Sequence, residues 1–372
     1  MDINSYLDDA VMLLKELIAT PRVSRQEQEA ADVLERYMRN WGLQPQREGN
    51  NLWVVQPGFD PGRTTLLLNA HIDTVKAVAS WTRNPHNPVI EDDRLYGLGA
   101  NDCGGGLVTL LQAFRILTAN EDTYSTSTEH PHCPYNLIYL ASAEEEVSGE
   151  NGIRRALPAL NAYLSTLAPP CSIDLAIVGE PTGMQPAVAE KGLIVIDGYA
   201  HGVSGHAARE EGVNAIYEAL DDLLWLRDYR FPQVSPLLGP TKMSVTVVEA
   251  GTQHNVVPDL LHFVIDVRTN ELYQNEEVLA FLQKNMKHCE LKARSTRLQS
   301  STIPTSHPLV QRCIALGRQP FGSPTLSDQA LMPFPSLKLG PGQSSRSHSA
   351  DEYICISELR DAIETYLQLL LP

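Results

Sequence analysis

The chain of 372 residues is short of basic side chains, of paired cysteines and of long apolar runs. It has 29 basic against 45 acidic residues, a formal net charge of −16. Nucleic acid or an anionic membrane surface would need a basic face, so neither is expected as a partner. No apolar run approaches the ~20 residues of a membrane-spanning helix. The opening residues MDINSYLDDAVMLLKELIATPRVS lack the basic stretch of a secretory signal. There, Leu7, Val11, Leu14 and Ile18 recur at helical spacing and predict an amphipathic helix instead. Cys103, Cys133, Cys171, Cys289, Cys313 and Cys355 are scattered with no CxxC pair, which predicts reduced thiols in the cytoplasm. What the chain does have is an apolar fraction of 43%, ample for a large core, and a length that suits two or three domains.

The first half alternates strand and helix patterns. A helical pair is expected over Tyr6–Trp41, followed by strands around NLWVVQP and TTLLLNAHID. A Gly-rich turn, GLGANDCGGG, leads into a helix over Leu107–Leu117. The polar stretch ANEDTYSTSTEHPHCP reads as a surface loop, and another strand, a helix over Ile153–Leu167 and the strand of CSIDLAIVGEPTG follow. Near-continuous apolar strands alternating with helices predict an α/β domain, a mainly parallel sheet with helices on both faces. After Met184 the strands alternate apolar and polar residues, with helices over Val213–Leu226 and Asn275–Lys287. That order predicts an inserted α+β domain over residues 186–295, leaving 1–185 and 296–372 as two parts of one catalytic domain.

NLIYLASAEEEVSG ends an apolar strand in Glu144, Glu145 and Glu146. Two carboxylates 4 Å apart repel by roughly 4 kcal/mol at an effective dielectric near 20, so something must offset them. In a regular strand Glu145 and Glu146 point to opposite faces, so the strand must end or bulge there if both serve one site. Other polar residues recur at strand ends. AHID places His71 and Asp73 two apart, which predicts an imidazole with a carboxylate on its other ring N–H. Asp102 lies in the Gly-rich turn, whose glycine spacing fits no nucleotide loop. Glu180 ends the strand of IVGEPT, and His348 lies in the loop GPGQSSRSHSADEY. The carboxyl ends of parallel strands are where ligands bind. Two imidazoles and three carboxylates converging there suit two divalent cations, zinc first, with one carboxylate bridging. The cations would let neighbouring carboxylates stay ionised, and an unligated one could take a proton from water.

AHID, GLGANDCGGG, ASAEEEVSG, IVGEPT and QSSRSHSADEY, in this order, resemble the motifs of the M20 family of co-catalytic metallopeptidases and deacylases, over essentially the whole chain. The resemblance implies a zinc-peptidase-like catalytic domain with an inserted lid and dimerisation domain. It implies two metal ions, zinc or alternatively cobalt or manganese, bridged by Asp102, with an often cis peptide after that residue. His71 and Glu180 would complete one metal and Glu146 and His348 the other, with Glu145 as general base. The family usually has Asp where Glu144 stands, a conservative departure, and Cys103 is read as structural. HGVSGHAA would bring His206 to a substrate carbonyl, commonly in the partner subunit's site. GTQHNVVPD puts Asn255, and VIDVR puts Arg268, at substrate-contacting positions; a guanidinium suits bidentate capture of a carboxylate. His130, His201 and His254 are read as bystanders.

Within that family, GEPT, the acidic triplet and the length look most like the acetylornithine deacetylase branch, beside succinyl-diaminopimelate desuccinylase. The implied substrate is a small N-acyl amino acid, N-acylornithine or N-acylcitrulline, losing acetyl or succinyl in arginine biosynthesis. In FGSPTLSDQALM, Asp328 either favours a cationic substrate side chain or faces solvent. The alternatives are a succinyl-diaminopimelate desuccinylase, a di- or tripeptidase, or a catalytically silent metal-binding member.

Overall fold

The computed structural model describes residues 3–123 and 133–372. Most of the polar stretch expected as a loop, with His130, lies outside the described residues. The chain forms two compact units, one of Met1–Val188, Ile303–Phe321 and Ser327–Pro372, the other of Ala189–Thr302 and Gly322–Leu326. The breaks fall after 188 and 302 rather than after 185 and 295, and the short 322–326 segment joins the second unit, which its sequence did not signal.

In the first unit, four mutually parallel strands form the centre of the sheet, in the order Tyr135–Ser142, Thr64–His71, Leu175–Val178 and Ser336–Lys338. The neighbours Asn51–Val55 and Ala187–Glu190 run antiparallel to them. Both sheet faces are covered, which is why these strands read as continuous apolar runs. Ile138 and Leu140 pack with Ile153, Leu157 and Leu160 of helix Ile153–Ser165. Tyr139, pointing the other way, donates its hydroxyl to Leu107 O at 3.0 Å and meets the Phe114 ring, both on helix Gly105–Thr123. The expected helices over Tyr6–Trp41 are Ile3–Ala19 and Gln28–Asn40. A helix over Pro308–Ala315 and the terminal helix Ile356–Leu370 complete the unit.

The second unit holds a four-stranded antiparallel sheet in the order Lys242–Ala250, Leu260–Arg268, Leu193–His201, Cys289–Leu298. Helices Ala215–Asp228 and Asn275–Asn285 pack their Ala219, Leu226, Val278 and Leu282 into one core with Ile194, Ile196, Phe263 and Ile265. One core shared by both helices puts them on one face of the sheet, the α+β arrangement that the alternating strands predict. The buried Asp222 carboxylate accepts the backbone N–H groups of Lys287, His288 and Cys289 and ties the first helix to the last strand. Among the described residues, no helix is long and apolar enough to cross a membrane, and the six cysteines are unpaired.

Register places the carboxyl ends of the parallel strands side by side, with His71 opposite Ser142 and Asn69 opposite Val178. The start of helix Gly105–Thr123 presses on the third of these ends. A Cβ at Gly106 would lie 1.6 Å from Gly179 O, backbone that cannot swing aside. Gly106→Ala is therefore expected to destabilise the fold by about 1–3 kcal/mol or more, read as a lower urea midpoint. An unchanged midpoint would show that helix and strand end separate freely.

Candidate metal centre

The first side chain of the site is His71, the last residue of its strand and only 1% exposed. Its Nδ1 donates to the main-chain carbonyl of Asp73 at 2.9 Å. A carbonyl only accepts, so Nδ1 carries a proton, and Nε2 is the nitrogen left to face the acidic groups. Nε2 faces Asp102 Oδ1 at 3.2 Å, within hydrogen-bond reach, and Glu145 Oε2 and Glu180 Oε1, both at 3.8 Å. Burial alone would discharge the ring, but the facing Cys103, Glu145, Asp102 and Glu180 push its pKa well above the usual histidine value.

The expected role of the Asp73 side chain needs correction. Its carboxylate is 3.7 Å from His71 Nδ1 and accepts instead from Glu145 N at 3.0 Å, Glu146 N at 3.2 Å and the Ser24 hydroxyl at 2.7 Å. The strand stops at His71, so the two-residue alternation that would align both side chains does not reach Asp73.

The acidic triplet divides its work between its members. The strand ends at Ser142, and Glu144 turns the corner at φ +51°, a left-handed conformation that a non-glycine residue adopts at a cost of about 1–3 kcal/mol. Its carboxylate points back to Asn151, accepting from Nδ2 at 2.8 Å, and its N–H donates to the buried Glu27 at 3.2 Å. Glu145–Val147 then form a single 3₁₀ turn. Breaking the strand in this way sends Glu145 and Glu146 to the same side, as the sequence requires if both serve one site.

Asp102 follows Gly99 at φ +72°, and the Asp102–Cys103 peptide is cis. A Cβ at Gly99 would sit 2.4 Å from Thr74 Cγ2 and 2.6 Å from an Arg22 nitrogen, so close approach and conformation both require glycine there. The two Asp102 oxygens face different imidazoles, Oδ1 to His71 and Oδ2 to His348 Nε2 at 3.6 Å. His348, itself at φ +57°, approaches Glu146 Oε2 at 2.9 Å, and that contact raises its pKa to about 9. Burial raises Glu180 to about 8, against the pull of His71, and lifts Glu145 well above the carboxylate range.

This donor set fits divalent cations. Glu146 Oε1 and Glu180 Oε1 are buried with no hydrogen-bond partner among the described residues. Ligand atoms of His71, Asp102 and Glu146 lie within 4.8 Å of one another, as do those of His71, Cys103 and Glu180. Two donors about 2.1 Å from one tetrahedral ion lie roughly 3.4 Å apart, inside the spread of spacings around His71 Nε2.

Several supports were not singled out in the sequence. Arg22, fully buried, donates to Ile72 O at 2.6 Å and Gly99 O at 2.8 Å. Glu352 accepts three loop amides, and its DE dipeptide just after His348 was the one signal for it. Asp328 is buried and accepts from Ser142 Oγ at 2.5 Å, so it does not face solvent. In the second unit, His206 pairs with Val256 in a two-stranded ladder, which sets it beside Asn255. Its ring is exposed and accepts from Ala208 N at 3.1 Å. Arg268 stands apart from them at the end of its strand, its guanidinium forked onto Asp266 at 2.9 and 3.0 Å.

Similar proteins agree with this architecture. Two relatives align over nearly their full lengths. An acetylornithine deacetylase of Proteus mirabilis (strain HI4320) is 27% identical over 399 residues, covering 99% of this chain and 97% of that protein. A succinyl-diaminopimelate desuccinylase of Corynebacterium glutamicum is 26% identical over 381 residues, covering 98% and 96%. Among solved structures, a dinuclear metal-binding M20 peptidase of Bacillus subtilis shares the fold with a TM-score of 0.73 at 15% identity, over 99% of this chain and 98% of that one. A tripeptidase of Staphylococcus aureus superposes with a TM-score of 0.72 at 18% identity, over 98% and 97%. Residues 67–371 match the model of peptidase family M20/M25/M40. The chain belongs to that family and is a metal-binding hydrolase of amide bonds.

Proposed function

We propose that the protein is a two-cation amidohydrolase removing an acetyl or succinyl group from an N-acyl amino acid, N-acylornithine or N-acylcitrulline, in arginine biosynthesis. The observation that carries this reading is the placement of Glu145. Its carboxylate faces His71 Nε2 beside the cluster, yet it belongs to neither three-residue ligand group. His71 and Glu180 are assigned to one cation and Glu146 and His348 to the other, with Asp102 shared. Imidazole and carboxylate donors suit zinc, with cobalt or manganese as alternatives. When bound, the cations supply Lewis acidity that makes a water acidic near neutrality and polarises the acyl carbonyl.

The chain's own groups do the rest. Glu145 takes the proton of the attacking water and delivers it to the leaving amine. Asp73 holds Glu145 in place through its backbone N–H. His206 donates to the developing oxyanion, and Asn255 and Arg268 hold the substrate. A substrate carboxylate at Arg268 has to displace Asp266 from the guanidinium fork.

A homodimer through the second unit is part of the proposal. Tyr217, Leu220 and Leu224 lie on one face of helix Ala215–Asp228 with 71%, 46% and 46% exposure. The outermost strand of that unit's sheet also exposes Val247 and Val248. Such an apolar face suits burial against a second copy. Six unpaired thiols fit a cytoplasmic setting.

A desuccinylase is the second reading, favoured by the 26% identical relative. Three experiments test these statements. Glu145→Gln should bind the same number of metal ions as wild type and lose at least about 10²-fold in kcat, while chelation should abolish wild-type turnover. Turnover surviving chelation would end the two-cation reading. In a substrate panel, acylornithine or acylcitrulline should exceed dipeptides by at least roughly tenfold in kcat/KM. Equal turnover of dipeptides would make the enzyme a peptidase, and preference for succinyl-diaminopimelate a desuccinylase. Leu220→Glu combined with Leu224→Glu should convert a dimer to a monomer in light scattering; an unchanged dimer would place the interface elsewhere.

A further inference from the structure

Four residues beyond His348, Glu352 lies buried under the loop that carries Asp102. Its Oε1 accepts from Asn101 N at 2.8 Å and Asp102 N at 2.9 Å, and its Oε2 from Gly99 N at 2.9 Å. Its own carbonyl accepts Gly97 N at 3.0 Å. The same two segments are joined in the opposite sense by Asn101. Its Oδ1 accepts Gln343 N at 2.9 Å, and its Nδ2 donates to Gln343 O at 3.1 Å and Ser347 Oγ at 3.3 Å. The segments so joined are the ones bearing Asp102 and His348, whose side chains face each other at 3.6 Å.

We infer that Glu352 is a positioning residue: by gathering three amides of one loop, those of Gly99, Asn101 and Asp102, onto one carboxylate close to His348 in sequence, it sets the distance between Asp102 and His348 and thereby the affinity of the second cation position. The inference rests on the assignment of those two residues as ligands. Asp73 does the same for Glu145 and Glu146 through their amides, so the fold uses a buried carboxylate under each of two ligand loops. Glu352 itself reaches the site only through the backbone. A Gln side chain of the same length would turn an NH₂ toward amides that are themselves donors, and Asp would keep the charge one methylene short of them.

The test is titration of metal-free wild type, Glu352→Gln and Glu352→Asp with zinc ions against a competing chromophoric chelator, well below each protein's melting temperature. Wild type should bind two equivalents. Both variants should bind the second roughly 10- to 100-fold more weakly, the range for losing an outer-shell partner, and the first less so, because Asp102 alone of its assigned ligands lies on the loop that Glu352 holds. Hydrogen–deuterium exchange of the metal-free variants should be faster in the peptide spanning 97–106, even where the melting temperature has fallen little. Wild-type affinity for both equivalents in Glu352→Gln would overturn the inference. So would wild-type affinity in Glu352→Asp, which would make charge rather than placement the cause, or equal weakening of both equivalents in step with the melting temperature. Fewer than two equivalents on wild type would instead overturn the two-cation assignment beneath it.

Discussion

Carboxylates crowded around one buried imidazole are the constraint on which the rest of the first unit depends. His71 gives its Nδ1 proton to a backbone carbonyl and turns Nε2 toward three carboxylates. All three lie within 4 Å of that one nitrogen, and two carboxylates about 4 Å apart repel by roughly 4 kcal/mol even at an effective dielectric of 20. The buried basic side chains of this unit do not close the gap at the centre. Arg22 gives its guanidinium to carbonyl oxygens, and Lys338 offsets the burial of Glu180 only in part, since that carboxyl still rises to about 8. Bound cations supply the missing charge, and they explain why evolution could leave Glu146 Oε1 and Glu180 Oε1 without donors.

Such a site has to be held open against its own repulsion, and the backbone does the holding. Glu144 and His348 both sit in left-handed conformations that no non-glycine residue favours. Buried carboxylates take amides beside both: Glu27 and Asp73 accept from the acidic turn itself, and Glu352, four residues past His348, accepts from the Asp102 loop that His348 faces. Charge-assisted hydrogen bonds to backbone N–H groups are stronger than neutral ones and fix direction as well as distance. The strain is local and the anchors are dispersed over three segments, so no single loop carries the geometry by itself.

Much of this was legible in residue patterns. Continuous apolar strands announced a sheet covered on both faces, and the change to alternating strands after Met184 announced the second unit. Polar residues recurring where apolar strands stop, at His71, Glu146 and Glu180, marked the carboxyl end of the sheet as the place to look. The rest depended on where strands end, to the residue, which periodicity does not resolve. Asp73 was paired with His71 because a strand continued through them would align both; with the strand ending at His71, its carboxylate anchors the acidic turn instead. Glu27 and Arg22 carried no signal, and Glu352 only its place close after His348, for a different reason. Their partners are backbone atoms distant in sequence, and a hydrogen bond to a backbone N–H or C=O imposes no side-chain pattern on the segment that supplies it.

On the proposed assignments, reaction and selectivity draw on different parts of the chain. The proposed proton-transfer group, Glu145, and its anchor Asp73 lie within the first unit. The groups assigned to the substrate lie in the second unit, where Arg268 is already satisfied by Asp266. Exchanging one carboxylate for another at that fork yields little net affinity, because the charge–charge gain on one side is lost on the other. It yields discrimination, since a substrate lacking a carboxylate offers nothing to displace Asp266. Selectivity on such terms shows as a difference between substrates rather than as tight binding of any one.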